Sequence, residues 1–523
     1  MMSMQTNLPQ VEKTSTRTRH IASNTLVLFV RMFAIMLINL YTVRVVLQAL
    51  GQVDYGLFNT IAGVVLTSTF LTTTLAISIQ RFYSYSIGIH NDSSLPQIFS
   101  VSMNIILLLT VLVLLIFETF GLWFVNTQLD IPADRMTAAH WTYQLSIVAF
   151  LLSFLQIPYS AAFFAHENMS YYALVTMSEC VGRLFVALLI GQHILSDGLI
   201  FYAVGIAVVA FLTYAAYAIR GRLRYAECRY TKVKDKKLYK DILSFSGWTT
   251  YSALSGISII QGSAILLNIF FGNIATAAYA IANQIYNAMT ALSNSIAIAF
   301  RPPMIKSYAE QNIEYLNRLF IVSNKFILYL LIAISLPLMI EIPIILNWWL
   351  GTVTEQMVLF SRLYIIFMII LALHNPITTI IHATGKIKHY ILLVDSITLL
   401  CLPITLILFH WGYPDYTIFL SMIGVCAIAH IIRLVCLKHF YPPFSHRAYF
   451  MNLILPCLLI TLISILLALG IHQYIDSELK RFITLFVISP LFTFFLVYAI
   501  GISLEERIML HRFILQYFKH SNT

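Results

Sequence analysis

Charge is scarce in this chain. Only 10% of its 523 residues are charged, 59% are hydrophobic, and the mean hydropathy is +0.82. So few charges cannot cover so much apolar surface in water, which argues against a soluble globular protein and for a polytopic membrane protein. Cysteine is scarce as well. The six thiols (Cys180, Cys228, Cys401, Cys426, Cys436 and Cys457) form no CxxC pair, and all but Cys228 fall inside apolar runs. A zinc site or a disulfide framework is not expected. A phosphate loop of the form G-x-x-x-x-G-K-[ST] is missing, since "ATGKIKH" lacks the first glycine, and this argues against direct ATP hydrolysis. "AHENMS" begins like a zinc-protease motif but has Ser170 where the second histidine belongs, so His166 and Glu167 read as polar residues of a turn. No carboxylate pair or Ser/His/Asp arrangement stands out. No catalytic residue, metal or cofactor is expected, and a transporter is a better fit than an enzyme.

What the chain has is long apolar runs. A helix needs about 20 apolar residues to cross the hydrocarbon core, and backbone groups in lipid must be satisfied within the segment. Fourteen such segments are expected, at 21–50, 56–82, 95–125, 137–164, 171–191, 196–219, 243–271, 274–300, 320–348, 356–382, 388–410, 415–437, 449–470 and 480–502. The polar start "MMSMQTNLPQVEKTSTRTRH" reads as a retained cytoplasmic tail. With the N-terminus inside, 25 of the 32 Lys and Arg residues fall on the inner side. The outer loops hold only Arg135, Lys480 and Arg481, and four arginines are left within spans. That bias orients the chain with both termini cytoplasmic. It also accounts for the net charge of +10 without nucleic acid.

The fold class is therefore an all-α polytopic membrane protein. The basic stretch "RGRLRYAECRYTKVKDKK" divides six helices from eight, as in transporters built from parallel repeats. The expected organisation is a cytoplasmic tail (1–20), an N-lobe of helices 1–6 (21–219), a basic cytoplasmic linker (220–242), a C-lobe of helices 7–12 (243–437), helices 13 and 14 (438–502) and an amphipathic cytoplasmic helix (503–523). In that last segment Leu510, Phe513, Ile514, Tyr517 and Phe518 recur at helical spacing opposite Arg507, His511, Arg512 and Lys519. A faint repeat links "LG" at 50–51 with "FG" at 271–272, and places Arg81 and Arg301 at matching inner ends, 220 residues apart.

Charges inside the spans are the candidate functional residues. An arginine at the centre of a span costs about 2.5–3.5 kcal/mol on insertion scales, so such residues usually face a cavity or a partner. Arg31 lies near the middle of the first span. Arg44, near its outer end, could also snorkel. Thirteen residues separate them, so on a straight helix they point to different sides. Arg183 has Glu179 one turn before it, a spacing that allows an internal pair. Arg362 sits near the outer start of its span. Asp395 has no cation on its own helix and is the candidate for ion coupling, together with Glu179; the coupling ion is H+ or Na+. Arg81 and Arg301 would mark the cytoplasmic entrance. Glu118 and Glu341 lie nearer outer ends, and His374 and His430 read as hydrogen-bonded core residues. An arginine-rich vestibule suits an anionic substrate, because guanidinium binds phosphate in bidentate fashion and keeps its charge.

"LYTVRVVLQALGQVDYGLFNTIAGVV" and "QRFYSYSIG" resemble the first two helices of Wzx-type flippases of the multidrug/oligosaccharidyl-lipid/polysaccharide (MOP) exporter superfamily. The most specific part is the arginine followed by "LG", an acid and "YG". The resemblance implies two pseudo-symmetric six-helix bundles with two further C-terminal helices. It also implies a polyprenyl-diphosphate-linked oligosaccharide substrate, flipped by alternating access to build O-antigen or capsule. Arg44 matches the family's span-one arginine and would contact the diphosphate or adjoining acidic sugars. Membrane lipids, a polysaccharide polymerase and glycosyltransferases would be the partners. Three alternatives remain: a lipid II flippase or another MOP exporter, a membrane-embedded glycosyltransferase or polymerase, and a scaffold acting through the basic loop. Against the enzyme stands the shortness of the outer loops, none longer than roughly a dozen residues.

Overall fold

A computed structural model describes residues 8–66, 68–127, 131–190, 197–350, 353–502 and 507. The amphipathic segment expected at 503–523 lies outside the described residues, apart from Arg507. Among the described residues every regular element is helical. Chain contacts divide the protein into an N unit, Leu26–Leu254, and a C unit, Met1–Thr25 with Ser255–Thr523.

The N unit is built from α1 (Leu8–Leu66) from Leu26 onward, α2 (Thr69–Gly88), α3 (Leu95–Ile116), α4 (Leu122–Thr127), α5 (Met136–Leu155), α6 (Ile157–Ala165), α7 (Met169–Ile190) and α8 (Gly198–Arg224). The tail is thus helical from Leu8 onward. In the C unit are α9 (Lys236–Ala309), α10 (Ile313–Leu350), α11 (Glu355–Ala372), α12 (His374–Thr384), α13 (Ile387–Leu399), α14 (Cys401–His410), α15 (Thr417–Phe440) and α16 (His446–Tyr449). The pair α17 (Leu455–Tyr474) and α18 (Glu478–Leu496) completes it. The unit boundary at 254/255 falls inside α9. Residues before it pack in the N unit, where Ser246 donates to Ser78 at 2.8 Å and Thr250 and Thr74 share a 3.2 Å bond.

The internal repeat, faint in the sequence, is plain in the element boundaries. α3 and α10 begin at Leu95 and Ile313, α5 and α11 at Met136 and Glu355, α6 and α12 at Ile157 and His374. α7 and α13 begin at Met169 and Ile387, α8 and α15 at Gly198 and Thr417. Every pair lies 217–219 residues apart. The left-handed backbone positions repeat too: Gly51 with Gly272, His90 with Gln311, and Glu167 with Gly385. Gly51 (φ 75°, ψ 174°) and Gly272 (φ 76°, ψ −165°) each make a corner inside a helix that otherwise continues. That region of backbone space is essentially closed to side chains. Gly56, the glycine of the "YG" that follows, is ordinary helix.

Twelve helices among the described residues are long and apolar enough to cross a membrane. Of the two remaining expected spans, 56–82 is interrupted by a turn at Ser68, and 274–300, helical throughout, is too polar to meet that requirement. They are repeat partners, each following a glycine corner.

Each unit has its own apolar centre. In the N unit Ile61, Phe99, Tyr143, Phe154 and Phe163 are fully buried in one cluster. In the C unit Ile342, Leu346 and Ile365 join α10 to α11, and Tyr329 packs with Ile460 and Leu496 to dock α17 and α18 on α10. The Tyr329 hydroxyl donates to the Gly501 carbonyl at 3.2 Å.

Two arginines at helix starts are neutralised by acids. Arg135, just before α5, donates in bidentate fashion to Asp54 and at 2.8 Å to Asp197. Asp197 also caps α8, accepting from the Leu199 and Ile200 amides. Asp54 is the acid of the "LG…DYG" motif, and its structural partner explains why a carboxylate stands there. In the C unit Arg481 donates to the buried Glu341 at 2.8 Å, and His472 lies 3.3 Å from the same oxygen.

Candidate substrate site

Arg31, eight residues into the first candidate span, Asn24–Gly51, brings α1 against α7. Arg31 Nη1 donates to Thr176 Oγ1 at 3.4 Å, and its guanidinium lies 4.8 Å from the centre of the Tyr172 ring. Arg31 Nε is buried with no hydrogen-bond partner among the described residues. One turn along α7, Arg183 donates to Glu179 at 2.6 Å, the internal pair expected from their spacing. The charges of Arg183, Glu179 and Arg31 all act on the Cys180 thiol, so these three expected residues share one locality.

α1 is unbroken between Arg31 and Arg44. The two therefore have different surroundings, and Arg44 is exposed with no described hydrogen-bond partner. Arg81, on α2, is stacked among Phe82, Tyr85 and Phe245, its guanidinium 4.7, 5.2 and 5.4 Å from their ring centres. Arg301 is half-buried in α9 beside Pro302 and Pro303.

Arg362 has a backbone duty. Its Nε donates to the Met339 carbonyl at 2.9 Å. Met339 stands four residues before Pro343 in α10, and proline has no N–H to offer that carbonyl. The guanidinium supplies the bond that the proline removes.

Asp395 is buried on α13, and a cation does face it from another helix. Arg433 Nη2 of α15 lies 3.9 Å away. Arg433 was counted from sequence among the inner-side cations; it is 8% exposed within α15, and Lys325, counted likewise, is 7% exposed within α10. Reading α15 to its full length, with Asp395 on the neighbouring helix, would have suggested the pair.

Sequence reasoning also passed over the polar helix after Gly272. There Ala277, Ala280, Gln284, Asn287, Ala291 and Asn294 are all exposed. Spaced three or four residues apart, they form one face of α9. Amides and alanines on an exposed face suit water or hydroxyl groups better than hydrocarbon. The opposite face carries Tyr279, Tyr286 and Asn283, which engage Tyr364. The clue was the amide content of "NIATAAYAIANQIYNAMTALSNS".

The sequence pattern of the polysaccharide biosynthesis protein family matches residues 21–308. The chain belongs to that family. With its fold, this makes it a membrane transporter of the MOP superfamily, of the flippase type. Solved structures similar to it include a MATE transporter in the bent conformation, with a TM-score of 0.71, 14% identity, and 82% of this chain and 98% of that one covered. An outward-facing multidrug resistance MATE family transporter of the MOP superfamily has a TM-score of 0.67 and 14% identity, covering 81% of this chain and 96% of that one. A third is a MOP superfamily transporter from Pyrococcus furiosus, described as having a binding pocket of reverse polarity that suggests a different function. Its TM-score is 0.67 at 13% identity, with 80% of this chain and 96% of that one covered. The sequence matches none of the curated proteins compared with it. At these identities the structural likeness speaks for the fold.

Proposed function

We propose that this flippase moves a polyprenyl-diphosphate-linked oligosaccharide from the inner to the outer leaflet of the bacterial cytoplasmic membrane, for assembly of surface polysaccharide such as O-antigen or capsule. The observation that carries the reading is Arg31: a span-internal guanidinium with one long hydroxyl bond, an aromatic face and a buried Nε left over. Such a group has bonding capacity for a phosphate oxygen. Arg44, exposed farther along the same helix, is the second cation for the diphosphate or for acidic sugars. The amide face of α9 supports the same reading, because neutral amides both donate to and accept from sugar hydroxyls.

On this proposal the chain works by alternating access, driven by an ion gradient or the membrane potential, with both termini and the 220–242 linker cytoplasmic. A polysaccharide polymerase and glycosyltransferases are its partners. The test is surface polysaccharide and lipid-linked oligosaccharide in strains carrying Arg31→Ala or Arg44→Ala at normal protein level. The expected result is lost export with lipid-linked oligosaccharide accumulating on the cytoplasmic side, and partial rescue by lysine, which lacks the bidentate fork. Normal surface polysaccharide in both strains refutes the cationic site.

A further inference from the structure

A cluster of ionisable groups is buried in the C unit, away from the arginines just described. His374 opens α12 and is 5% exposed. Arg433 of α15 places Nη1 2.6 Å from His374 Nδ1, and its Nε donates to the Tyr390 hydroxyl of α13 at 3.0 Å. Its remaining arm, Nη2, faces Asp395 of α13 at 3.9 Å. His430, one turn before Arg433, stacks on His374 with ring centres 5.3 Å apart and shares a 3.3 Å bond with the Tyr449 hydroxyl of α16. Cys426 Sγ lies 3.9 Å from His374 Nε2. The charges acting on the His374 ring are those of Arg433 and His430.

The chemistry of these contacts leaves few choices. A guanidinium has donors and no acceptor, so the His374 nitrogen that receives it must hold a lone pair, and the ring is neutral. If that nitrogen takes a proton, two donors and two cations meet at contact distance, and the bond to Arg433 is lost. The guanidinium then has a carboxylate within reach. At 3.9 Å the pair with Asp395 is not yet a hydrogen bond, and a small movement would close it to about 2.8 Å. The Tyr390 hydroxyl, which also shares a 3.1 Å bond with Thr378 of α12, lies between the two arrangements as a pivot.

We propose that His374 is a proton-binding site of this transporter, whose occupancy moves Arg433 between His374 on α12 and Asp395 on α13. One proton is taken up by the imidazole lone pair and released from it; no other bond forms or breaks. The ligand is a proton rather than sodium, because the place beside Asp395 that a metal cation would need faces a permanent cation. Among the described residues no three His, Cys, Asp or Glu side chains are grouped to hold a metal ion. As a coupling site this rests on the flippase reading above; as a proton site it stands on the cluster alone.

The experiment reads the two separately. The full-length protein, labelled with nitrogen-15 histidine, is titrated between pH 4.5 and 8.5 and its ring resonances followed. His374→Gln, which keeps an acceptor for Arg433, identifies the His374 signal among the 15 histidines. The expected result is a titrating His374 signal whose midpoint falls by at least about one pH unit in Asp395→Asn, since the protonated state then loses the carboxylate that receives Arg433. A His374 signal that does not titrate, or a midpoint unmoved by Asp395→Asn, overturns the proposal.

In the second arm, translocation of lipid-linked oligosaccharide is measured in vesicles with and without an imposed pH gradient. His374→Gln should retain translocation and lose its acceleration by the gradient. Full acceleration in that variant overturns the coupling role. A titration as expected with no translocation by the native protein leaves the proton site standing and refutes the substrate reading instead.

Discussion

Replacing Arg135 by alanine tests whether the end of the N unit at the start of α5 is held by charge. Arg135 joins three elements at once: the segment after the Gly51 corner through Asp54, the start of α5, and the start of α8 through Asp197. Its side chain is 24% exposed, and those of Asp54 and Asp197 are 20% and 22% exposed. Exposed ion pairs contribute about 0.2–1 kcal/mol, and breaking a buried one costs about 3–5 kcal/mol. At roughly one-fifth exposure, with a bidentate contact to Asp54 and contacts of 2.8 and 3.5 Å to Asp197, truncation should cost about 2–3 kcal/mol. For a cooperative unit of about 230 residues that is a fall of roughly 4–12 °C in thermal midpoint. Thiol labelling of the buried cysteines on heating reads it in detergent solution. Arg135→Lys should recover less than half, since lysine cannot make the fork. A double-mutant cycle with Asp54→Ala should give a coupling of about 1–2 kcal/mol, larger than that with Asp197→Ala. The loss should shrink at about 1 M salt, where the screening length is near 3 Å. A midpoint within one degree of the native protein, or no coupling to Asp54, refutes the clamp.

Three further outcomes are expected. Gly51→Ala and Gly272→Ala should each cost about 1–3 kcal/mol. Space at the Cβ is open at both sites, so the cost is in the backbone alone; unchanged thermal midpoints would show that the corners straighten freely. Tyr172→Leu should reduce surface polysaccharide at normal protein level while Tyr172→Phe should not, because Arg31 lies over the ring face; equal defects would discount the cation–π contact. In the loop after α8, burial raises the Glu227 carboxyl, but the His166 bond of 2.5 Å and a backbone bond outweigh it and the net direction is down. A depressed carboxylate contributes stability that is full above its unfolded value, near 4.3, and is lost as pH falls through the folded one. The neighbouring Cys228 thiol, pushed up to about 12 by burial and by Glu227 against the pull of Arg222, should resist alkylation at neutral pH. The thermal midpoint of the N unit should fall on acidification below about pH 4.5, as the Glu227 carboxylate is protonated. Glu227→Gln should flatten that pH dependence, and an unchanged profile would refute the assignment.

Span count and helical class were legible because apolar length is a property of composition, which sequence states directly. The repeat was legible only at "LG" and "FG", since apolar segments drift without penalty and only the glycine corners are held to one residue type. Span-internal charges could be found but not paired. Arg31 was visible, its neighbours Tyr172 and Thr176 were not, because contacts between helices leave no mark in either helix. The same limit hid Arg433 from Asp395 and gave Arg362 no visible partner, although Pro343 implied an orphaned carbonyl nearby. The polar helix after Gly272 was read as a span like the others; its amide content was the one available sign that it differs.

The paired corners have a use beyond this chain. A backbone shape open only to glycine survives divergence that erases every other likeness between the halves. In distant relatives whose two halves no longer align, a pair of glycines some 220 residues apart, intolerant of any replacement in a saturation screen, would mark the ancestral duplication and set the register for comparing the halves position by position.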